Sequence, residues 1–444
     1  MGEVFCGGLR PLQLPYISNI AHKALGTVPS IKKDKPMSAT PVDILFAISD
    51  TGGGHRSAAV ALSAALDQLS GGTLSWAIED ILRLTDFPLV RDAPEHYDKL
   101  STRWLRLYDL TFQLTNTTRT VDMLSRLVFM TARRNLGRAL ERRRPRLVVS
   151  THPLVHRLVV WSRRAYRLPF RVITCVTDLV SLHASWSYPG VDLALVPTDE
   201  AFQAMLRRGM RPSQMRRTGF PVHPKFVDYR GDQGVARQAL GLSADRFTIL
   251  VTAGGVGSGR LGELVVSLEQ ACPIHQLLVV TGKNRAVYEE LTSRVRAPNS
   301  HIFGFVDNME VLMAASDMVV TKAGPGTLME ALVMRKPVAV TEAVGMQEQG
   351  NIDFVLNYDL GRFCPTTERI VDAVHELHDQ QRYTATLQRL EGAVPRDGSA
   401  QIARMLIEQL ALVDQQAAAP LRQGGLFGFP RGARRLIRGR RARS

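Results

Sequence analysis

Short apolar runs alternate along this chain with longer segments whose apolar residues recur every third or fourth position. Val42 to Ser49 reads as a buried strand, and Arg56 to Leu69 places Ala and Leu at helical spacing. Leu74–Ile78, Leu147–Ser150, Val172–Thr177 and Leu193–Val196 repeat the strand pattern, with helical patterns between them. Runs this short and this apolar suit strands covered on both faces. A second series follows the loop Gly219-Phe-Pro-Val-His-Pro224, with strands expected at Phe247–Thr252, Gln276–Thr281, Ile302–Phe305, Met318–Thr321 and Val338–Thr341. The spacing predicts an α/β chain of two doubly wound, Rossmann-like domains facing a cleft. Expected boundaries are a poorly ordered leader over 1–40, an N-terminal domain over 41–225 and a linker over 226–246. A C-terminal domain over 247–412 and a basic tail over 413–444 complete the division.

Composition adds one unusual feature. Lys and Arg number 56 against 41 Asp and Glu, a net charge of +15. About half the excess lies in residues 421–444, which carry eight arginines and no acid. Their head, Gly425-Leu-Phe-Gly-Phe-Pro430, is apolar, so the tail suits an anionic membrane surface; RNA is the alternative partner, and no nucleic acid is expected. Residues 133–146 hold seven arginines and one glutamate, next to the aromatic stripe Trp104, Tyr108, Phe112. That adjacency points to a membrane-facing surface on a basic helix, against the plainer reading of core packing.

Other classes recede. Cys6, Cys175, Cys272 and Cys364 show no C-x-x-C spacing, which argues against zinc and disulfides and fits a reducing compartment. No run of 18 apolar residues offers a spanning helix, and residues 1–36 lack the apolar core of a signal peptide. Met37, just before the first strand, is an alternative start.

Three glycine-rich loops fall at strand ends: Asp50-Thr-Gly-Gly-Gly-His55, Ala253-Gly-Gly-Val-Gly-Ser-Gly259 and Thr321-Lys-Ala-Gly-Pro-Gly-Thr327. None is a nucleoside-triphosphate loop, because Gly259 is followed by Arg260-Leu261. None completes G-x-G-x-x-G, although Glu79 keeps a dinucleotide reading open. The third loop opens a helix, where free N–H groups meet anions. Glu330, one turn further, is placed to accept from sugar hydroxyls. His55 at a helix N-terminus is the candidate general base, with Asp50 or Asp178 to orient its ring. Thr151-His-Pro153, Thr177-Asp-Leu179 with His183 and Trp186, and Gln347-Glu-Gln-Gly-Asn351 occupy other strand-end loops. No Asp-x-Asp occurs, so phosphate charge is expected to meet helix ends, Lys322 and arginine rather than a metal; no cofactor is expected.

Over residues 42–365 these motifs resemble the monogalactosyldiacylglycerol synthases, inverting GT-B glycosyltransferases grouped with the peptidoglycan N-acetylglucosaminyltransferases. The resemblance rests on Ser49-Asp-Thr-Gly-Gly-Gly-His-Arg56, Thr151-His-Pro-Leu154, Val176-Thr-Asp-Leu179, Gly219-Phe-Pro221, Gly282-Lys-Asn284, Gly304-Phe-Val306, Thr321–Thr327 with Glu330, and Gln347–Asn351. It implies galactose transfer from UDP-galactose to diacylglycerol by a peripheral enzyme on the cytoplasmic side of the cell membrane. UDP-glucose is the alternative donor, and a non-catalytic lipid- or nucleotide-sugar-binding protein the alternative class. His55 becomes the base, with Asp178 beside it. Gly53, Gly54, His152, His183 and Trp186 would hold the acceptor. On the donor side, Gly304, Phe305 and Val306 would line uracil. The turn Gly324, Pro325, Gly326 and Thr327 would hold the diphosphate, Glu330 the ribose, and Gln347 with Glu348 the sugar hydroxyls, while Gly255, Gly257, Lys322, Ala323 and Asn351 would complete the donor side. Val256 replaces the acidic residue expected in the second loop, and Gly345-Met346 the Pro-Gly expected before Gln347.

Overall fold

A computed structural model describes residues 40–51, 53–86, 88–92, 105–252, 261–295 and 297–418. The first sheet comprises β1 (Ile44–Ile48), β2 (Trp76–Asp80), β3 (Leu147–Ser150), β4 (Arg171–Cys175), β5 (Leu193–Val196) and β6 (Met215–Arg217), in the order β2-β1-β3-β4-β5-β6. The second comprises β7 (Thr248–Thr252), β8 (Gln276–Val280), β9 (Ser300–Phe303), β10 (Met318–Thr321), β11 (Val338–Val340) and β12 (Gly361–Phe363), in the order β12-β11-β10-β7-β8-β9. The pairings within both sheets are parallel. The helices that shape the site are α1 (Gly54–Ser70), α2 (Leu105–Thr115), α3 (Thr118–Arg143), α4 (Pro325–Val333), α5 (Gly345–Asn357) and α6 (Gly398–Ala418).

Why a run such as Ile-Leu-Phe-Ala-Ile forms a central strand is visible in its two faces. Leu45 and Ala47 pack with Leu136 and Leu140 of α3, while Ile44, Phe46 and Ile48 pack with Leu62 and Leu66 of α1. Side chains alternate across a strand, so only an unbroken apolar run can satisfy both layers. The same division holds in the second sheet, where Leu250 faces one core cluster and Ile249 with Val251 the other.

Two edge strands are added and two expectations are corrected. Strands β6 and β12, at sheet edges, did not stand out in the sequence, because Met-Arg-Arg and Gly-Arg-Phe are short and charged, as edge strands often are. The segment 226–246 is no bare linker: Phe226, Ala236 and Leu242 belong to the C-terminal core. The chain also returns to the first domain at its end. Ile402, Ala403, Leu406 and Leu410 of α6 bury against Ile44, Phe46 and α1, so the boundaries at 412 and 413 fall inside a helix of the N-terminal domain. Full burial of each of the larger side chains contributes about 1.5–3 kcal/mol.

Strand order locates the functional loops. In the first sheet β1 connects to β2 on one side, while β3 lies on the other. The loops leaving β1 and β3 therefore diverge at a switch point, where doubly wound sheets bind ligands. In the second sheet β7 and β10 flank the corresponding point. The loop after β7, with Gly255 and Gly257, lies outside the described residues, as do Trp104 and residues 419–444.

Candidate active site

At the first switch point the chain leaves β1 through Ser49 and Asp50 and enters α1 at Gly54. Gly53 adopts φ 74°, a left-handed turn that costs a residue with a Cβ far more. A Cβ added at Gly53 or Gly54 would meet nothing within 4 Å among the described residues. His55 is half-buried beside it. Its Nδ1 lies 2.6 Å from the Thr151 carbonyl oxygen after β3 and 3.1 Å from Thr177 Oγ1 after β4. A carbonyl oxygen only accepts, so Nδ1 carries the proton and Nε2 keeps its lone pair. Burial pushes the imidazole down to about 4, with the Thr151 bond and the Asp50 charge opposing. The imidazole is neutral, as expected from sequence, but burial, not a helix end, is the main cause.

The ring is oriented differently from expectation. Asp50 is held by Arg56 through two bonds of 2.6 and 2.7 Å. Asp178 accepts from Trp186 Nε1 at 2.7 Å and from Gln347 Nε2 at 3.1 Å. Neither carboxylate has a hydrogen bond to His55; Thr151 serves instead, and its Oγ1 donates back to the His55 carbonyl at 2.8 Å. Both threonines stand in the strand-end motifs of the sequence, next to His152 and Asp178, whose side chains carry the more obvious proton chemistry.

The residues expected to hold the acceptor divide into wall and foundation. His152 stands edge-on to His55 at 4.6 Å between ring centres; its Nδ1 accepts from Leu154 N and its Nε2 pairs with Thr51 Oγ1. Burial holds it well below the usual histidine range. Trp186 is 0% exposed, so it supports Asp178 from beneath instead of meeting an acceptor directly. His183 caps the short turn at 184–186 through Nδ1, packs on Phe112 and is pushed down to about 4 by burial and Arg208.

Across the cleft, β10 ends at Thr321 and α4 begins at Pro325, with Gly324 as N-cap. Proline at the first helical position lacks only an N–H that would be unpaired anyway. Among the described residues no side chain caps this helix, and a Cβ at Gly326 would meet nothing within 4 Å, which leaves its N-terminus open to an anion. Lys322 Nζ lies 3.4 Å from Glu348 Oε1, and Glu348 Oε2 accepts from Val344 N at 2.9 Å, at the start of α5. Glu330 is half-buried, with no hydrogen-bond partner for its carboxylate among the described residues. Burial lifts it to about 7, with Lys225 opposing and Glu310 adding. After β9, Phe305 is 53% exposed with Lys283 Nζ 5.9 Å from its ring centre.

Two donor-side expectations change. Ala323 is fully buried, and Asn351 Nδ2 donates to the Ala323 carbonyl at 2.8 Å. Asn351 therefore fixes the turn to α5, and its buried amide group faces protein. Helix α5 also reaches the other domain. Met346 N donates to Asp109 Oδ1 at 2.9 Å, and a Cβ on Gly350 would fall 2.4 Å from Ser181 Oγ. Only glycine permits that approach.

Comparison with known proteins places this arrangement. The family model for monogalactosyldiacylglycerol (MGDG) synthase matches residues 55–222, and that for the glycosyltransferase family 28 C-terminal domain matches 248–344. A probable monogalactosyldiacylglycerol synthase of Nicotiana tabacum is 30% identical over 76% of this chain and 64% of its own length. The chain thus spans somewhat under two thirds of that relative. A probable monogalactosyldiacylglycerol synthase 2 of Oryza sativa subsp. indica is 31% identical over 73% of this chain and 71% of its own. Among solved structures, MurG of Acinetobacter baumannii gives a TM-score of 0.53 at 13% identity, covering 82% of this chain and 99% of its own. The UDP-GlcNAc 2-epimerase of Neisseria meningitidis, bound to UDP-GlcNAc, gives 0.53 at 14%, with the same coverage. These structural likenesses establish the two-domain GT-B fold. With sequence relatives matched across both domains, the chain belongs to the monogalactosyldiacylglycerol synthase family.

Proposed function

We propose that this chain transfers galactose from UDP-galactose to the free hydroxyl of 1,2-diacylglycerol, with inversion at the anomeric carbon. The observation that carries the reading is His55. It is a neutral imidazole at a sheet switch point, with Nδ1 bound to a carbonyl and Nε2 left basic. Its Nε2 takes the hydroxyl proton as the acceptor oxygen bonds to the anomeric carbon from the face opposite UDP. The bond from that carbon to the diphosphate oxygen breaks, and the electron pair leaves with UDP. The open N-terminus of α4 and Lys322 stabilise the departing charge. Glu330 accepts from ribose, Phe305 and its neighbours Gly304 and Val306 border the base, and Gln347 with Glu348 read the sugar. UDP-glucose is the competing donor.

The acceptor is insoluble in water, so the enzyme works at an anionic membrane surface. No helix among the described residues is long and apolar enough to cross one. Support comes from α3, where Arg119, Arg126, Arg133, Arg134, Arg138 and Arg142 are exposed together with Met123, Leu127 and Met130. We place the protein peripherally on the cytoplasmic face, with the arginine tail as a second contact. His55→Ala tests the chemistry: kcat is expected to fall by about 10²–10⁴ while UDP affinity holds. Undiminished transfer by that variant refutes the assignment.

A further inference from the structure

Asp178 is a carboxylate 6% exposed where the two domains meet, and its partners come from both. Trp186 Nε1, in its own domain, donates to Oδ2 at 2.7 Å; Gln347 Nε2, from α5 of the other, donates to Oδ1 at 3.1 Å. Both oxygens accept, and a carboxylate has nothing to donate. The bond therefore dictates which end of the Gln347 amide faces Asp178. The NH₂ must, and whatever meets the opposite end meets a carbonyl oxygen. Rotation of the amide by half a turn would bring two acceptors together beneath the cleft, where water is scarce and the mismatch is costly.

We propose that Asp178 is a positioning residue for donor choice: it fixes the amide of Gln347 so that the bound sugar meets an acceptor instead of an N–H. This rests on the reading of the C-terminal domain as a UDP-sugar site with Gln347 at the sugar. It assigns Asp178 to donor recognition across the cleft, away from the ring of His55. The arrangement also ties sugar recognition to domain closure, because the residue that sets the amide belongs to the acceptor domain.

The reciprocal exchange of groups tests it. In Asp178→Asn the side-chain oxygen still accepts from Trp186, so the new NH₂ faces Gln347 and drives its amide to turn over. In Gln347→Glu two carboxylates oppose each other. Each single variant is expected to bind UDP-galactose about tenfold more weakly, with UDP affinity unchanged. In the double variant D178N/Q347E, the amide introduced at position 178 donates to the carboxylate introduced at position 347. An acceptor again faces the sugar, and affinity returns to within about threefold of the parent. A role confined to supporting Trp186 predicts no loss in D178N and no recovery in the double variant, and either result overturns the proposal. If the parent chain binds UDP but the sugar adds no affinity in any variant, the proposal also fails. If the parent binds neither UDP nor UDP-galactose, the donor reading itself falls, and this inference with it.

Discussion

At the scale of single residues, the site depends on which groups burial keeps neutral. His55 is pushed down to about 4 from an ordinary 6.5, so the base is already deprotonated throughout the neutral range. Glu330 is lifted to about 7, so its carboxylate gains a proton just below neutrality. Two separable pH effects follow. kcat should stay level down to about pH 5 and then fall as His55 protonates, while the donor KM should already rise below pH 7 as Glu330 loses its charge. A kcat that halves near 6.5 would contradict the buried base. The linkage to folding has opposite signs for the two groups. The contribution of His55 is present above its unfolded value and lost as pH falls toward 4; that of Glu330 is present at low pH and lost as pH rises through 7. His55 was legible in sequence because three glycines and a helix start mark a backbone open to substrate. Its true partner was not, since a backbone carbonyl has no signature in the side-chain string.

At the scale of elements, the strands were legible because burial on both faces forces unbroken apolar runs. The roles of the helices were only half legible. Arginines 133–146 announced a basic helix, but not that Leu110 and Leu114 of α2 lie exposed together with Met123, Leu127 and Met130 of α3. Met130 is 67% and Leu114 66% exposed, far more than core-facing positions of a helix would be. The expected aromatic stripe pointed to the same region, yet Phe112 packs on His183, Trp104 lies outside the described residues, and nothing is described of the Tyr108 side chain. Apolar tips ringed by arginine suit the boundary of an anionic bilayer. Replacing Met123, Leu127 and Met130 together by Ser removes roughly 1 kcal/mol each from partial insertion, so partitioning onto anionic vesicles should drop by about a hundredfold. Flotation of the variant unchanged from the parent would remove α3 from the membrane contact.

At the scale of the whole molecule, chain order and spatial order differ in a way that bears on closure. Helix α6 leaves the second domain and completes the core of the first, so the domains are joined by the chain at two places, near 220 and near 398. Helix α5 then fills the junction, with Gly350 against Val180 and Ser181, Gln347 on Asp178 and Met346 on Asp109. Sequence periodicity assigns a helix to a face, but not to a domain, and α6 reads equally well on either sheet. The two-domain organisation was legible, because a strand–glycine–helix opening in each half of the sequence implies a doubly wound sheet in each. The contacts between the domains were not, since they join residues 169 and 237 positions apart.

The proposed reaction is a transfer of galactose between ligands held by different domains. The most direct measurement supplies the purified chain with diacylglycerol vesicles and labelled UDP-galactose, with UDP-glucose in a parallel arm, and identifies the lipid product. The expected product is β-linked monogalactosyldiacylglycerol, formed from UDP-galactose in preference to UDP-glucose. A glucosyl product, an α linkage, or label that stays with the nucleotide would contradict the proposed reaction.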